Sequence, residues 1–301
     1  MLEASITRVR LKSDFISVII ADNERSFFKH QRGYNGIASL ALRGGIRDLK
    51  RRRNIFVPAY AGLNLEHYFD EHNRERDILF HPRRHPMLVA RWKEANSAVL
   101  TQDPFAPWHV SYAATFVVSG NNRIDFSMEI TPHGKEIEKS SFLGVFWASY
   151  IDHPAHCGIN FMGHGRGEKA ADKRWIYLET AVHGEKSSVM PAAASFIPAF
   201  APELPKNWLF ASKGDYVHDI PLFYGVSGGT MLAFMFKDKE RVWFAHSPSG
   251  GGPGCPAWDF FALFPSPRAG ETYKVRGRLI AKPFISAGDV LAEYDAFEHG
   301  T

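Results

Sequence analysis

The clearest pattern in the chain is a strict alternation of apolar and polar side chains. It runs through residues 108–118 and again through residues 124–130. A period of two residues is that of a β-strand with one buried face. Gly120, Asn121 and Asn122 separate the two segments with turn-forming residues, so we predict a β-hairpin here.

The same reasoning predicts further strands along the chain, at residues 7–12, 15–21, 142–151, 174–182, 230–236, 241–246, 258–264 and 273–281. Only residues 192–200 show a weak helical period, and Pro191 and Pro198 interrupt it. Many short strands separated by Gly and Pro favour an all-β sandwich or barrel. Because we find no linker and no fixed repeat, we expect a single domain over residues 1–301.

Composition narrows the class of protein. The chain is 45% hydrophobic and 14% aromatic, which suits a globular β protein with a large core. Its 36 basic and 32 acidic residues leave a net charge of only +4. The basic run at residues 47–53 lacks the interleaved aromatics of a single-strand nucleic-acid groove, so we expect a solvated loop and no nucleic-acid partner.

The cysteine count and the hydropathy bear on the compartment. Cys157 and Cys255 are the only cysteines, too few for a disulfide scaffold, although they could form one bond. The first residues do not resemble a signal peptide, and no stretch approaches the ~20 apolar residues of a membrane span. We therefore expect a cytoplasmic protein with no membrane partner.

The first polar cluster lies at the end of the segment 54–67. If the neighbouring leucines face the core, Asn64 and Glu66 share the other face of a strand. Two such side chains can hold adjacent sugar hydroxyls, and His67 beside them could transfer a proton near neutral pH. The alternative is an ordinary polar strand end.

A second cluster, HPRRHP at residues 81–86, contains Arg83, whose fixed donors suit the hydroxyl or carboxylate groups of a sugar. The alternative is a solvated basic loop. Aromatic rings provide flat faces on which sugar rings can stack. We take Trp108, Trp147 and Trp258 as candidates for that role.

Histidines are concentrated between residues 151 and 165, where His153, His156 and His164 lie near Cys157. Zinc accepts such ligands, but the segment has no paired C-x-x-C or H-x-x-x-H spacing. We therefore expect no metal and no cofactor, with free thiols and loop histidines instead. His183, before a glycine at a predicted strand end, is another candidate for proton transfer.

The Gly-rich passage HSPSGGGPGCPAWD, residues 246–259, begins with His246 and ends with Trp258 and Asp259. It has no Lys-Ser or Lys-Thr after its glycines and no following helix, which excludes a phosphate-binding loop. Successive strand residues point to opposite faces. Either Trp258 is buried while Asp259 faces a cleft, or the reverse holds.

Two short segments resemble the galactose mutarotase-like superfamily, which includes the aldose 1-epimerases. AGETYKVRGRL, residues 269–279, is similar to the family's "PGE-x-Y" strand start, and HCGINFMG, residues 156–163, to its "H-x-x-x-N-L-x-G" stretch. The resemblance implies a large two-sheet antiparallel β-supersandwich that binds a sugar. It also implies Asp259 as a catalytic base, in place of the family's Glu, and His156 as the acid.

Three functions remain open. The first is an enzyme that acts on a sugar or sugar acid, by epimerase-like or lyase-like proton transfer. The second is a non-catalytic binder of a mono- or oligosaccharide, and the third is a metal-dependent hydrolase. The acid–base candidates are His67, His156, His183 and Asp259. The candidates for substrate binding are Asn64, Glu66, Arg83, Trp108, Trp147, His246 and Trp258.

Overall fold

The molecule is built almost entirely from β-strands. The computed structural model describes residues 2–4, 7–43, 54–72, 79–92, 95–205 and 207–300, which contain 18 strands, three short 3₁₀ turns and one α-helix. The prediction of an all-β chain is therefore confirmed. The basic run at residues 47–53 lies outside the described residues.

Three of the strands form a small antiparallel sheet and fifteen form a large one. The small sheet contains β2 (Arg8–Lys12), β3 (Ile16–Ala21) and β4 (Gly36–Leu42). The first strands of the large sheet are β1 (Leu2–Ala4), β5 (Asn64–Phe69), β6 (Leu88–Trp92), β7 (Ser97–Gln102), β8 (Val110–Ser119), β9 (Arg123–Pro132) and β10 (Phe142–Ala148). The others are β11 (Ile159–Gly165), β12 (Arg174–Leu178), β13 (Ser188–Pro191), β14 (Lys213–Ser227), β15 (Thr230–Phe236), β16 (Val242–Ser247), β17 (Ala257–Pro265) and β18 (Tyr273–Pro283).

The large sheet folds over on itself to make two layers. Its main path runs β1-β6-β7-β8-β9-β18-β15-β14-β13-β16-β17-β10-β5, and β11 and β12 branch from β14. Strands far apart on this path touch face to face: Phe126 of β9 stacks near Phe260 of β17, with 6.4 Å between ring centroids. The indole of Trp147 in β10 donates to the Tyr112 hydroxyl of β8 at 3.1 Å. Such contacts across the interior are those of a sandwich.

Most of the predicted strands are present. The hairpin of β8 and β9 pairs in antiparallel register from Val110 with Pro132 to Ser119 with Arg123. The predicted strands at 142–151 and 174–182 end earlier, at Ala148 and Leu178. Among the described strand pairs, only β13 with β14 is parallel.

One helix was not predicted. Residues 192–200 are irregular, whereas α1 (Ala287–His299) is a regular helix. Ser286 caps α1, because its hydroxyl accepts the backbone N–H of Asp289 at 3.2 Å. Only three side chains of α1 are buried, Val290, Tyr294 and Phe297, and they pack on β14, β15 and β18. A stripe this narrow gives little periodic signal in the sequence.

An asparagine side chain closes the free edge of the large sheet at β5. The Asn35 amide accepts the backbone N–H of Leu65 and donates to its C=O, both at 3.0 Å. Its Nδ2 also donates to the Oδ1 of Asn64 at 3.0 Å. Asn35 precedes β4, so this contact joins the small sheet to the strand that bears Asn64, Glu66 and His67.

Along the described stretches, the one regular α-helix has 13 residues, and none of the helices has the length and hydrophobicity of a membrane span.

Candidate functional site

Strand β5 places three of the predicted site residues together. All six of its side chains are buried, including Asn64, Glu66 and His67. The Nδ2 of Asn64 lies 3.5 Å from Oε1 of Glu66, so these two side chains share one face of the strand. A carboxyl group inside the protein requires hydrogen-bond donors, and the surrounding elements supply them.

The donors to Glu66 come from two other parts of the chain. Tyr150, which follows β10, donates its hydroxyl proton to Oε1. Arg83 donates from Nη1 to the same oxygen at 2.9 Å. The carboxyl group is only 6% exposed and the Arg83 side chain 15%. Burial raises the pKa of Glu66, and the opposing effects of Arg83 and Tyr150 do not cancel that rise.

Arg83 is held in place by a rigid turn, not by a solvated loop. It lies in the 3₁₀ turn Pro82–Arg84. Two buried amides hold the carbonyls of this turn: Asn23 donates to the His85 C=O at 2.7 Å, and Gln102 donates to the Pro82 C=O at 2.8 Å. The neighbouring Arg84 is exposed.

Aromatic rings surround the guanidinium of Arg83. Its Cζ lies 3.7 Å from the centroid of the Tyr34 ring and 4.8 Å from that of Phe80. Tyr60 packs against Tyr34 with ring centroids 4.5 Å apart. All three rings are partly exposed, so this is the side from which solvent approaches Arg83. Rings of this kind can stack on a sugar.

A buried histidine fixes the backbone of the two tyrosines. Nδ1 of His30 lies 2.9 Å from the Tyr60 C=O, and its Nε2 lies 3.1 Å from the Tyr34 C=O. A neutral imidazole can donate from only one nitrogen, whereas the charged form would donate to both carbonyls. Burial nevertheless lowers the pKa of His30, because it outweighs the two carbonyls.

His67 is oriented toward Glu66 by its backbone contact. Its Nδ1 accepts the N–H of Phe80 at 2.9 Å. In the neutral ring the proton is therefore on Nε2. That atom lies 3.6 Å from Oε2 of Glu66. A proton donor and a carboxyl group thus stand side by side.

Asp259 provides a second carboxyl group in the same region. It is 1% exposed, and its Oδ1 accepts the N–H of Ser149 at 2.9 Å. Burial raises its pKa well above the ordinary value, and the charge of Glu66 adds to the rise while the Ser149 N–H opposes it. Two coupled carboxyls of raised pKa resist being ionised together.

We call these five residues, Glu66, His67, Arg83, Tyr150 and Asp259, the Glu66 centre. It combines a cation, a neutral phenol and groups that can gain or lose a proton. Burial, and then the charge of Glu66, raise the pKa of Tyr150 well above its ordinary value, so this residue acts as a hydrogen-bond donor. Such an arrangement is suited to proton transfer at a polar substrate.

The three candidate tryptophans lie elsewhere, in the core. Trp108 is 2% exposed, and Trp147 and Trp258 are 0% exposed. The Trp258 ring packs over Gly225, where an added Cβ would lie 2.1 Å from it. Trp258 and Asp259 therefore face opposite sides of β17, and both are buried. None of the three rings offers a face to a ligand.

The remaining candidates form no part of the Glu66 centre. His246 is fully buried and bonds to Thr180 and to the Cys157 C=O. His183 is exposed and lies 2.7 Å from the Ser247 hydroxyl. His156 is also exposed, and in the described part of the chain it has no hydrogen bond, ion pair or ring contact.

Sequence reasoning missed the residues that complete the site. These are Tyr34, Tyr60, Phe80 and Tyr150 around the charged groups, and His30 and Asn35 behind them. The segment GYNG at 33–36 had a usable signal, since an aromatic residue between two glycines is often placed on a turn. Tyr150 had none, because it follows a strand that is apolar throughout.

No family profile and no curated protein matches the chain. Parts of solved structures of the α-N-acetylgalactosaminidase NagBb from Bifidobacterium bifidum do align with it. The complex with Gal-NHAc-DNJ aligns with a TM-score of 0.48 and 10% identity over 100% of this chain and 39% of that chain. The GalNAc complex aligns with a TM-score of 0.38 and 14% identity over 71% of this chain and 29% of that chain. The chain thus spans well under half the length of NagBb.

Proposed function

We propose that the protein acts on a sugar or sugar acid by proton transfer at the Glu66 centre. The observation that supports this most directly is the buried Glu66 carboxyl, with Arg83 and Tyr150 on Oε1 and the Nε2 of His67 3.6 Å from Oε2. Tyr34, Tyr60 and Phe80, beside Arg83, provide ring faces on the solvent side. Together they supply two features of a sugar site, stacking surfaces and a few fixed polar groups.

The reaction we favour is the opening and closing of a cyclic sugar. Glu66, as the carboxylate, removes the proton of the anomeric hydroxyl and then delivers it to the ring oxygen, while the Nε2–H of His67 donates a hydrogen bond to that oxygen. The bond between the anomeric carbon and the ring oxygen then breaks to give an open-chain aldehyde, and closure on the other face gives the other anomer. Arg83 and Tyr150 stabilise the carboxylate before and after the transfer.

This assignment differs from the one that the family resemblance implies. There, Asp259 is the base and His156 the acid. Asp259 accepts the N–H of Ser149 and is electrostatically coupled to Glu66, so we assign it the role of tuning the pKa of Glu66. His156 lies outside the Glu66 centre. We retain the galactose mutarotase-like superfamily as the proposed family, because the chain is a β-sandwich and its two motif-like segments lead into β11 and β18.

Proton NMR of freshly dissolved anomers tests the proposal, with neutral sugars and uronic acids as substrates. We expect a wild-type catalysed rate above the spontaneous rate. Glu66→Gln should lower kcat/KM by about 10²–10³-fold, as loss of a general base does. Glu129→Gln, an exposed carboxylate paired with Lys274, is the matched control and should leave the rate unchanged.

A non-catalytic sugar binder is the second candidate. Arg83 and Tyr150 both donate to Oε1 of Glu66 and so fix the carboxyl group. Its other oxygen, Oε2, can then accept a hydrogen bond from a sugar hydroxyl group. Binding by calorimetry without any catalysed interconversion would select this function. If no sugar in the panel binds or reacts, both proposals fail.

A further inference from the structure

A second group of chemically active side chains lies outside the Glu66 centre. Asp152, His153 and Cys255 each offer one ligand atom, and these atoms all lie within 4.8 Å of one another. They come from two separate loops, one after β10 and one before β17. The carboxylate, the ring nitrogen and the thiol lie close together, although Cys255 is 102 residues from His153 in the chain.

We propose that Asp152, His153 and Cys255 form a binding site for one divalent cation of the zinc type. The three contact types, carboxylate oxygen, imidazole nitrogen and thiolate sulfur, are the ligands that zinc prefers. The sequence predicts no metal here, because these ligands have no paired spacing along the chain. The fold supplies the proximity that the spacing lacks.

The distances fit the edges of a metal tetrahedron. Nδ1 of His153 lies 2.8 Å from Oδ1 of Asp152 and 3.3 Å from Sγ of Cys255. Zinc bonds of about 2.0 Å to nitrogen or oxygen and about 2.3 Å to sulfur imply tetrahedral ligand separations of about 3.3 and 3.5 Å. The two separations from Nδ1 therefore need to open by about half an ångström or less to admit the ion, and the third, from Oδ1 to Sγ, is within 4.8 Å.

The backbone holds both loops in this arrangement. Asp152 donates its N–H to the Ile55 C=O at 2.9 Å, and Ile151 donates to the Pro256 C=O at 2.9 Å. On the other loop, Cys255 donates its N–H to the Gly252 C=O at 3.0 Å. Ligands fixed in advance lose little conformational entropy when an ion binds.

His153 adopts a strained backbone conformation with φ of 41°. A left-handed non-glycine residue is strained, and such residues cluster at active sites and ligand-binding sites. The imidazole of this residue lies beside Cys255 and close to Gly254. The strained residue is therefore also the one whose ring nitrogen faces both Asp152 and Cys255.

Exposure indicates a site open on one side. Cys255 is 3% exposed and the Asp152 side chain 16%, whereas the His153 side chain is 63% exposed. The ion would rest on a buried sulfur with its remaining coordination position facing solvent. An ion could therefore enter and leave without unfolding the chain.

The same three residue types also occur in nucleophilic triads, but this geometry does not fit one. A triad requires the thiol and the carboxylate on opposite nitrogens of the imidazole. Here Oδ1 of Asp152 and Sγ of Cys255 both approach Nδ1 most closely, since Sγ is 3.8 Å from Nε2. Both groups approach one nitrogen, as ligands of one shared ion would.

Zinc titration against a chromogenic chelator tests the site without any sugar or enzymatic assay. We expect the wild type to bind one zinc ion per chain. His153→Ala and Cys255→Ser should weaken binding by at least about 100-fold, because each removes a direct ligand. The controls, His156→Ala and Cys157→Ser, change the same residue types within the loop after β10 and should bind as the wild type does.

Cobalt provides a second readout that identifies the sulfur ligand. Cobalt-loaded wild type should show a near-ultraviolet charge-transfer band from thiolate to metal, which Cys255→Ser should abolish and Cys157→Ser should retain. Far-ultraviolet circular dichroism checks folding, and His153→Ala, at an exposed position, keeps the test valid if Cys255→Ser unfolds. Absence of binding by the wild type, or equal binding by all four variants, overturns the proposal.

Discussion

Among the described residues, Arg83 is the arginine that forms an ion pair with Glu66, so Arg83→Met tests the electrostatics of the Glu66 centre. The methionine keeps an unbranched apolar stem against Tyr34 but removes the charge. The folded protein must then either keep a lone buried anion or protonate Glu66, and protonation costs less. We expect Glu66 to take up a proton on folding.

The size of the effect follows from this choice. At pH 7 a carboxyl group of ordinary pKa near 4.3 costs about 3.7 kcal/mol to protonate, at 1.36 kcal/mol per pH unit. Burial already raises the pKa of Glu66 in the wild type, so the difference between the two proteins falls below that ceiling. The lost hydrogen bond to the Gly33 C=O and the lost contact with the Tyr34 ring add about 1–2 kcal/mol that does not depend on pH.

The sign of the pH dependence is opposite to that of most carboxylates. A carboxyl whose folded pKa is raised destabilises the protein as pH rises above the unfolded pKa, and removal of Arg83 raises the folded pKa further. We therefore expect Arg83→Met to lose about 3–4 kcal/mol at pH 7 and only about 1–2 kcal/mol at pH 4.5.

Urea denaturation followed by tryptophan fluorescence at the two pH values measures this difference. The control is the same substitution in a Glu66→Gln background, where the pH-dependent part should vanish because position 66 no longer titrates. Equal losses at both pH values in the Glu66 protein would refute the reasoning. That result would mean that Arg83 does not stabilise the ionised form of Glu66.

Three other predictions follow from the packing and the buried histidines. Burial lowers the pKa of His218 to about 4 from about 6.5, so its contribution to stability is complete above pH 6.5, and about 3 kcal/mol is lost as pH falls to 4. His218→Gln should remove that slope from urea midpoints measured across this range. Gly225→Ala should destabilise by at least about 2 kcal/mol, because its Cβ would lie 2.1 Å from the Trp258 ring, while Gly167→Ala, with nothing within 4 Å, should be close to neutral in the same thermal melts. His30→Ala should raise KM for the sugar more than it lowers kcat, since it loosens the two tyrosines beside Arg83 and touches no reacting group; a fall in kcat alone would contradict this role.

Local pattern was enough to predict most strands and not enough to predict their arrangement. The β8–β9 hairpin was readable because its strands have one face in the core and one toward solvent. Strands β10, β16 and β17 are buried on both faces, so they read as continuous apolar runs with uncertain ends. The helix α1 was missed because it packs on the outside of the sheet through three residues only.

The site was predictable where chemistry and spacing coincided. Asn64, Glu66 and His67 are neighbours in sequence, and the period of a strand places Asn64 and Glu66 on one face. Arg83 could be named as a candidate but not assigned a partner, since its approach to Glu66 depends on a turn held by Asn23 and Gln102. No local pattern encodes a contact between segments brought together by the sheet.

Asn35 has a consequence for how this molecule would lose function. By pairing with Leu65 as a neighbouring strand would, it makes the edge strand β5 dependent on the small sheet, and Tyr34 beside it belongs to the same segment. If the small sheet opens as a local unit, β5 loses its edge partner and Arg83 loses its aromatic cover in one event. Amide hydrogen exchange at Leu65 should then keep pace with exchange in β3 and β4. The candidate site would then be lost when the small sheet opens, without unfolding of the whole large sheet.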